Sequence, residues 1–401
     1  MKAPRMLWAM PYLPWPTTSG GKLRQFHLLR CLADRGYRIT LLVQSKTLLD
    51  DEARNQLAPL VERLIVLPRR PLKHPRTLTS VLFSRYPLLV CVNGFAPDLE
   101  ARFEALLDEP WDIVQIEHSY ALEPYIAALA RRGQAFVLSE HNLESGLSAA
   151  TYQRLPPLLR PLARIDRERY RRWERNALVN ATEVIALTEG DAESFRAISG
   201  RTAHLVVNGA DTRAALGLQP DHASQRVLFV GNFEYAPNLE AVAFALDEIL
   251  PRVWQALPQA RFAVCGYKLP AEWERRWPDP RIEWRGFVAD LRTVQRESSV
   301  FLAPLRQGGG SKLKVLEALA AGLPLVSTAQ GVSGLGVHDH EHYLAGESAN
   351  QLATATIDLL QSRELAQRIG AAGRRYVREH HSWEHAANQL EQVHQTLKSC
   401  A

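Results

Sequence analysis

Gly308-Gly-Gly-Ser-Lys-Leu-Lys-Val-Leu-Glu-Ala-Leu-Ala-Ala-Gly322 reads as a glycine turn that runs into a helix. Gly308, Gly309 and Gly310 let backbone approach a ligand closely, because no Cβ intervenes. Ser311 has the chemistry of an N-cap. The helix start behind it offers free N–H groups and a partial positive charge, which suit a phosphate. Lys312 falls in the first turn, the wrong end of a helix for a cation unless an anion binds there. Glu317 stands among Val315, Leu316, Ala318 and Leu319. A carboxylate on so apolar a helix needs hydrogen-bond donors, and sugar hydroxyls would serve. A plainer reading pairs Lys314 with Glu317 at i,i+3 on a solvated edge.

Outward from this stretch, apolar strand-like runs alternate with helical patterns along the whole chain. That alternation predicts an α/β fold with parallel sheets. Seven runs fall in the first half: 6–10, 38–43, 64–67, 113–116, 135–138, 183–187 and 203–207. Five fall in the second: 227–230, 261–265, 282–285, 300–303 and 325–327. Gly231, Gly266, Gly286 and Pro304 follow strands directly, where ligands bind in doubly wound sheets. The polar stretch 208–225 separates the halves. The reading is two Rossmann-like, doubly wound domains at 1–207 and 226–380, a linker or hinge at 208–225, and a helix at 381–401 that crosses back to the first domain.

A chain of 401 residues with 46% hydrophobic and 23% charged content has room for two full cores. The net charge of +5 suits small anions or an anionic membrane surface. No zinc-finger spacing or helix-turn-helix cue points to nucleic acid. Cys31, Cys91, Cys265 and Cys400 are widely spaced and read as reduced thiols. No run is long and apolar enough for a signal-peptide core or a membrane span. The expectation is a cytoplasmic protein, with peripheral contact at the inner membrane face as a further option. The arginine-dense stretch 154–175 supports that option, or else forms a salt-bridged surface helix with Asp166, Glu168 and Glu174.

Other constellations are smaller. Gly20 and Gly21 follow the first strand and open an amphipathic helix that stops at Gly36, a second phosphate seat or an ordinary tight turn. Glu117 and His118 follow one strand; Glu140, His141 and Asn142 follow the next. Strand exits collect catalytic groups in such sheets, and the ligand set for a metal is unconvincing. Asn232 follows Gly231, and Asn238 reads as a helix cap. Phe287 and Val288, after Gly286, offer a ring and backbone groups to a nucleobase.

Taken in order, Gly20-Gly21, Asn208-Gly-Ala-Asp211, Phe229-Val-Gly-Asn232 with Pro237-Asn238, Gly286-Phe-Val288, the 308–322 stretch and Ser382-Trp-Glu384 resemble the GT-B glycosyltransferases of the large retaining family four. The resemblance implies a nucleotide-sugar donor between the two domains, no metal and no further cofactor. It implies that Glu317 holds the ribose hydroxyls. Lys312, Gly21 and the helix start at Ser311, with Gly309 and Gly310, hold the diphosphate. Gly20, Gly231 and Asn232 join the donor site, Phe287 and Val288 lie near the base, His118 near the transferred sugar, and Glu117, His141 and Asn142 on the acceptor side. His118, Lys312 and Glu317 are the catalytic candidates. The acceptor would be a glycan, a lipid-linked glycan or a small molecule.

The chain departs from the family in three places. Gly309 stands where many members carry a first glutamate. Residues 232–238 lack the usual Arg and Lys, a charge that Lys312 is expected to replace. Glu117 competes with His118 for the position of the usual histidine. A sub-branch with G-G-G-x-[KR]-x-K is closer. An NDP-sugar epimerase of the same architecture, a non-catalytic partner subunit and a basic membrane scaffold are the alternative readings.

Overall fold

Apolar residues fill both faces of the central strands, the pattern of parallel sheets covered by helices on either side. The computed structural model describes residues 3–45, 49–70, 74–75, 79, 84, 86–94, 98–146, 160–309 and 312–400. Among these the first sheet holds β1 (Arg5–Met10), β2 (Arg38–Ser45), β3 (Arg63–Pro68), β4 (Ile113–Glu117), β5 (Val137–Ser139), β6 (Glu183–Ala186) and β7 (Ala203–Leu205). Its order is β3-β2-β1-β4-β5-β6-β7, and the pairings are parallel. The second holds β8 (Arg226–Val230), β9 (Arg261–Cys265), β10 (Ile282–Gly286), β11 (Val300–Ala303), β12 (Leu325–Ser327) and β13 (Leu344–Ala345). Its order is β10-β9-β8-β11-β12-β13, again parallel.

The period-2 alternation decides which face each side chain covers. Val227, Phe229, Phe262, Val264, Val300 and Leu302 pack in one core, against the helices on one side of the second sheet. Leu228, Ala263, Cys265, Phe301 and Ala303 pack in another with Val315, Leu316 and Leu319 of the helix Leu313–Ala320. All twelve strands read from the sequence form, with ends shifted by up to two residues. β13 has only two residues, too few to show a periodicity.

The chain divides into two compact units, residues 1–207 with 387–401, and residues 208–386. Each has a point where the strand order reverses, between β1 and β4 in the first and between β8 and β11 in the second. Open α/β sheets bind ligands outside the carboxyl ends of strands at such points. Residues 208–225 group with the second unit. There Ala210 N–H donates to His381 O at 2.8 Å, and Ala210 bridges Ser382. This pairing delays the last helix, which runs Trp383–Cys400 rather than from His381. Within the first unit that helix is tied by Val207 N–H to Gln389 Oε1 at 2.9 Å and by His394 to Gln115 at 2.9 Å.

The helix Arg160–Asn180 buries Tyr170, Trp173, Ala177 and Leu178. Arg171 and Arg172 pair with Glu168, as on a salt-bridged surface helix. Glu174 does not join them. It is buried, and its Oε1 accepts from Glu144 N–H at 2.9 Å. Arg154 lies outside the described residues. Among the described residues no helix is long and apolar enough to cross a membrane.

Candidate functional site

In the first unit the reversal point gathers a buried polar network. Glu117 is the last residue of β4 and is 2% exposed. One oxygen accepts from Trp8 Nε1 and Gln115 Nε2, each at 2.8 Å; the other accepts from His141 Nε2 at 2.9 Å. Burial alone would raise the Glu117 pKa, but its hydrogen bonds outweigh burial and hold it down at about 2. Burial lowers the pKa of His141, so a neutral ring donates Nε2–H to a fixed carboxylate.

His118 comes next and has φ 66, a region that costs a non-glycine residue energy and is held only where the surroundings impose it. Its Nε2 lies 3.0 Å from Tyr12 OH, and its ring stacks on Tyr120 with centroids 4.7 Å apart. Burial pushes His118 well below the ordinary imidazole range and Tyr12 well above the ordinary phenol range. Tyr12 therefore keeps its proton, and the direction of its bond to Nε2 follows the imidazole tautomer. His118 Nδ1 is buried without a partner among the described residues.

Gly20 and Gly21 are the first residues of the helix Gly20–Asp34, whose N-cap Ser19 makes no side-chain cap bond. A Cβ on Gly21 would lie 2.5 Å from Tyr12 OH. Asn142 is half-buried and hydrogen-bonds Glu144. Glu140 accepts from Ser119 N–H at 2.6 Å, and burial pushes its pKa well above the ordinary carboxylate range.

In the second unit the exits of β8, β9 and β10 interlock. Gly231 N–H donates to Cys265 O at 3.0 Å, and Gly266 N–H to Gly286 O at 2.6 Å. Asn232 spends its side chain on a turn, accepting from Glu234 N–H at 2.9 Å. Asn238 is the third residue of the helix Ala236–Phe244 and not its cap, which is Tyr235. Its Nδ2 donates to Asn232 O at 2.7 Å, and its Oδ1 accepts from Lys314 Nζ. Lys314 Nζ also lies 4.6 Å above the Phe229 ring.

Glu317, one turn along the helix Leu313–Ala320, has no hydrogen-bond partner among the described residues, and desolvation pushes its pKa up to about 7. The Lys314–Glu317 ion pair does not form: the two side chains share a helix face, but Lys314 turns to Asn238. Lys312 lies just before the helix and not in its first turn. Its Nζ donates to Gly308 O at 2.8 Å and Gly309 O at 3.0 Å.

Two family models match the chain in succession: the glycosyl transferase 4-like domain over residues 19–210 and the glycosyl transferases group 1 over residues 224–362. Together they span most of its length. The chain belongs to the group 1 glycosyltransferases. Its fold is GT-B and its chemistry is glycosyl transfer. Solved structures share the architecture at low identity. Sucrose-phosphate synthase from Thermosynechococcus elongatus is 19% identical with a TM-score of 0.71, over 100% of each chain. HepE from Anabaena, solved with UDP and glucose, is 15% identical with a TM-score of 0.67, over 99% of this chain and 100% of its own. A glycosyltransferase from Rickettsia africae is 12% identical with a TM-score of 0.70, over 100% of each. No curated protein sequence matches significantly.

The glycosyltransferase thus assembles its expected residues in two groups. Glu117, His118 and His141 meet in the first unit, with the His118 and His141 rings 4.1 Å apart. In the second unit Gly231, Asn232 and the exposed Phe287 follow strand ends, Gly309 and Lys312 lie in the loop before the 313–320 helix, and Glu317 is on it. Phe287 meets the Tyr267 ring edge-on at 6.4 Å, and Val288 is half-buried beside it. Gly310 and Ser311 lie outside the described residues.

Sequence reasoning missed Tyr12, Trp8, Gln115 and the separate role of Lys314. Only Lys314 carried a signal, the second cation of the G-G-G-x-[KR]-x-K pattern. The others are ordinary residues until the sheet brings β1 beside β4.

Proposed function

We propose that this is a retaining family-four enzyme, independent of metal, that moves a hexosyl unit from a nucleoside-diphosphate sugar to a glycan or lipid-linked acceptor. One observation carries the reading. The 313–320 helix holds Lys314 and Glu317, both half-buried beside the β8 exit, with no opposite-charge partner among the described residues and with pKa values drawn toward about 7 by desolvation. A nucleoside diphosphate supplies both complements, phosphate charge for the lysine and ribose hydroxyls for the carboxylate. That the solved structure of HepE contains UDP and glucose supports the donor class.

In the reaction so read, the bond from the anomeric carbon to the diphosphate oxygen breaks, and its electron pair leaves with the phosphate. The acceptor oxygen bonds to the same face of that carbon and passes its proton to the leaving phosphate. The protein contributes position and charge stabilisation. His118 hydrogen-bonds an oxygen of the transferred sugar, and Glu117 acts as a positioning residue by fixing His141.

A transfer assay on His118→Ala tests the assignment. Turnover is expected to fall about 100-fold, roughly the loss of one preorganised donor, while nucleotide affinity stays within about threefold of wild type. Unchanged turnover removes His118 from the reaction.

A further inference from the structure

We infer that Lys314, and not Lys312, is the group that answers the negative charge of a bound nucleoside diphosphate, and that it takes up a proton as the ligand enters. The inference rests on the reading of the 313–320 helix as the donor site and deepens it.

The two lysines differ in what they touch. Lys312 Nζ closes its own loop on the carbonyls of Gly308 and Gly309. Among the described residues Lys314 Nζ meets neutral groups, Asn238 Oδ1 and the face of the Phe229 ring. The Asn238 amide cannot turn away freely, because its Nδ2 is held by Asn232 O at 2.7 Å. Lys314, Asn238 and Asn232 therefore form a chain from the helix to the β8 exit, at the strand-order reversal, where residues 232–238 carry no Arg or Lys.

The charged surroundings are few. Lys312 precedes Lys314 in the chain, and its field opposes a second positive charge. Glu317 follows on the same helix without pairing to it. From the helix Ala236–Phe244, Glu240 is engaged with Arg306 at 3.1 Å. From the helix Arg363–His380, Arg374 is spent at the far end, on Leu218 O and Ala321 O. Lys314 is half-buried, and an ammonium drawn out of water with no anion beside it is expensive. Burial first, and Lys312 second, bring the Lys314 pKa down to about 7. An arriving phosphate reverses that balance, so the amine is protonated in the complex.

The sign follows directly. The free enzyme loses the Lys314 proton as pH rises through about 7 and the complex keeps it, so affinity falls by about tenfold per pH unit above 7. Calorimetric titration with UDP, GDP and ADP at about pH 8, in Tris and in HEPES, counts the protons. Glu317 is by then mostly ionised and contributes little. Uptake of about one proton per nucleotide is expected. Lys314→Met should abolish the uptake and weaken binding by about tenfold or more.

Nucleotide binding by wild type without proton exchange overturns the role of Lys314 and leaves the donor site standing. Uptake that persists in Lys314→Met moves the proton to another group and overturns it equally. Failure of all three nucleotides to bind overturns the donor reading and this inference together.

Discussion

Glu317→Ala will lose the thermal stabilisation that its cognate nucleotide confers on the wild type. At about 100 times its dissociation constant a ligand stabilises by about 2.7 kcal/mol, and UDP, GDP and ADP with their sugar conjugates are the ligands to screen. Hydrogen bonds to an ionised carboxylate contribute about 1.5–3 kcal/mol each. Losing those to two ribose hydroxyls is enough to abolish the shift.

The same residue makes an opposite prediction for the free protein. The Glu317 pKa is raised from 4.5 to about 7 by desolvation. The folded state therefore binds more protons than the unfolded state between these values, and stability falls as pH rises through that window. The penalty is absent at about pH 4. It is complete above about pH 8, at up to about 3 kcal/mol. Glu317→Gln keeps the shape and removes the charge, so urea midpoints for the variant and wild type should coincide at acid pH and separate in favour of the variant at alkaline pH. A wild type more stable than Glu317→Gln at alkaline pH would mean that a donor already compensates the carboxylate. A group that destabilises the free fold and is needed for binding is what a binding site predicts and a packing role does not.

Gly266→Ala is expected to unfold the second unit. A Cβ at this position would lie 1.7 Å from Gly231 O and 2.8 Å from Gly231 C, both backbone atoms that cannot rotate aside. The residue also has φ 150, where side chains are strained. A loss above about 4 kcal/mol is expected, read as a collapsed urea midpoint or insoluble protein. Gly36→Ala is the control. It has φ 82 but nothing within 4 Å of the new Cβ, so it should cost only about 1 kcal/mol. Comparable losses in the two variants would show that conformation, and not the approach of β8 to β9, makes Gly266 necessary.

The residues that were legible in the sequence and those that were not differ in the range of their interactions. Strands such as Arg261–Cys265 and Val300–Ala303 were readable because an apolar run and the glycine or proline after it are local features. Glu317 was readable as a carboxylate short of water from its four apolar neighbours, and it is half-buried. The plainer of the two readings, a Lys314–Glu317 pair, fails because spacing shows only that the two share a face. Asn238, 76 positions away, is what draws Lys314 aside. Tyr12 and His118, 106 positions apart, carried no mutual signal either.

The sequence by itself determined the class of fold, the order of its strands along the chain, the glycine exits and the carboxylate on an apolar helix, because each depends on neighbours within a turn or a strand. Only the tertiary structure decided that β1 lies beside β4 and β8 beside β11. With that it decided which titratable groups find partners (Glu117, Lys312, and Lys314 on Asn238) and which have none among the described residues (Glu317, His118 Nδ1). The physical reason is that burial and pairing set the charge state of a polar group, and both come from residues distant in sequence.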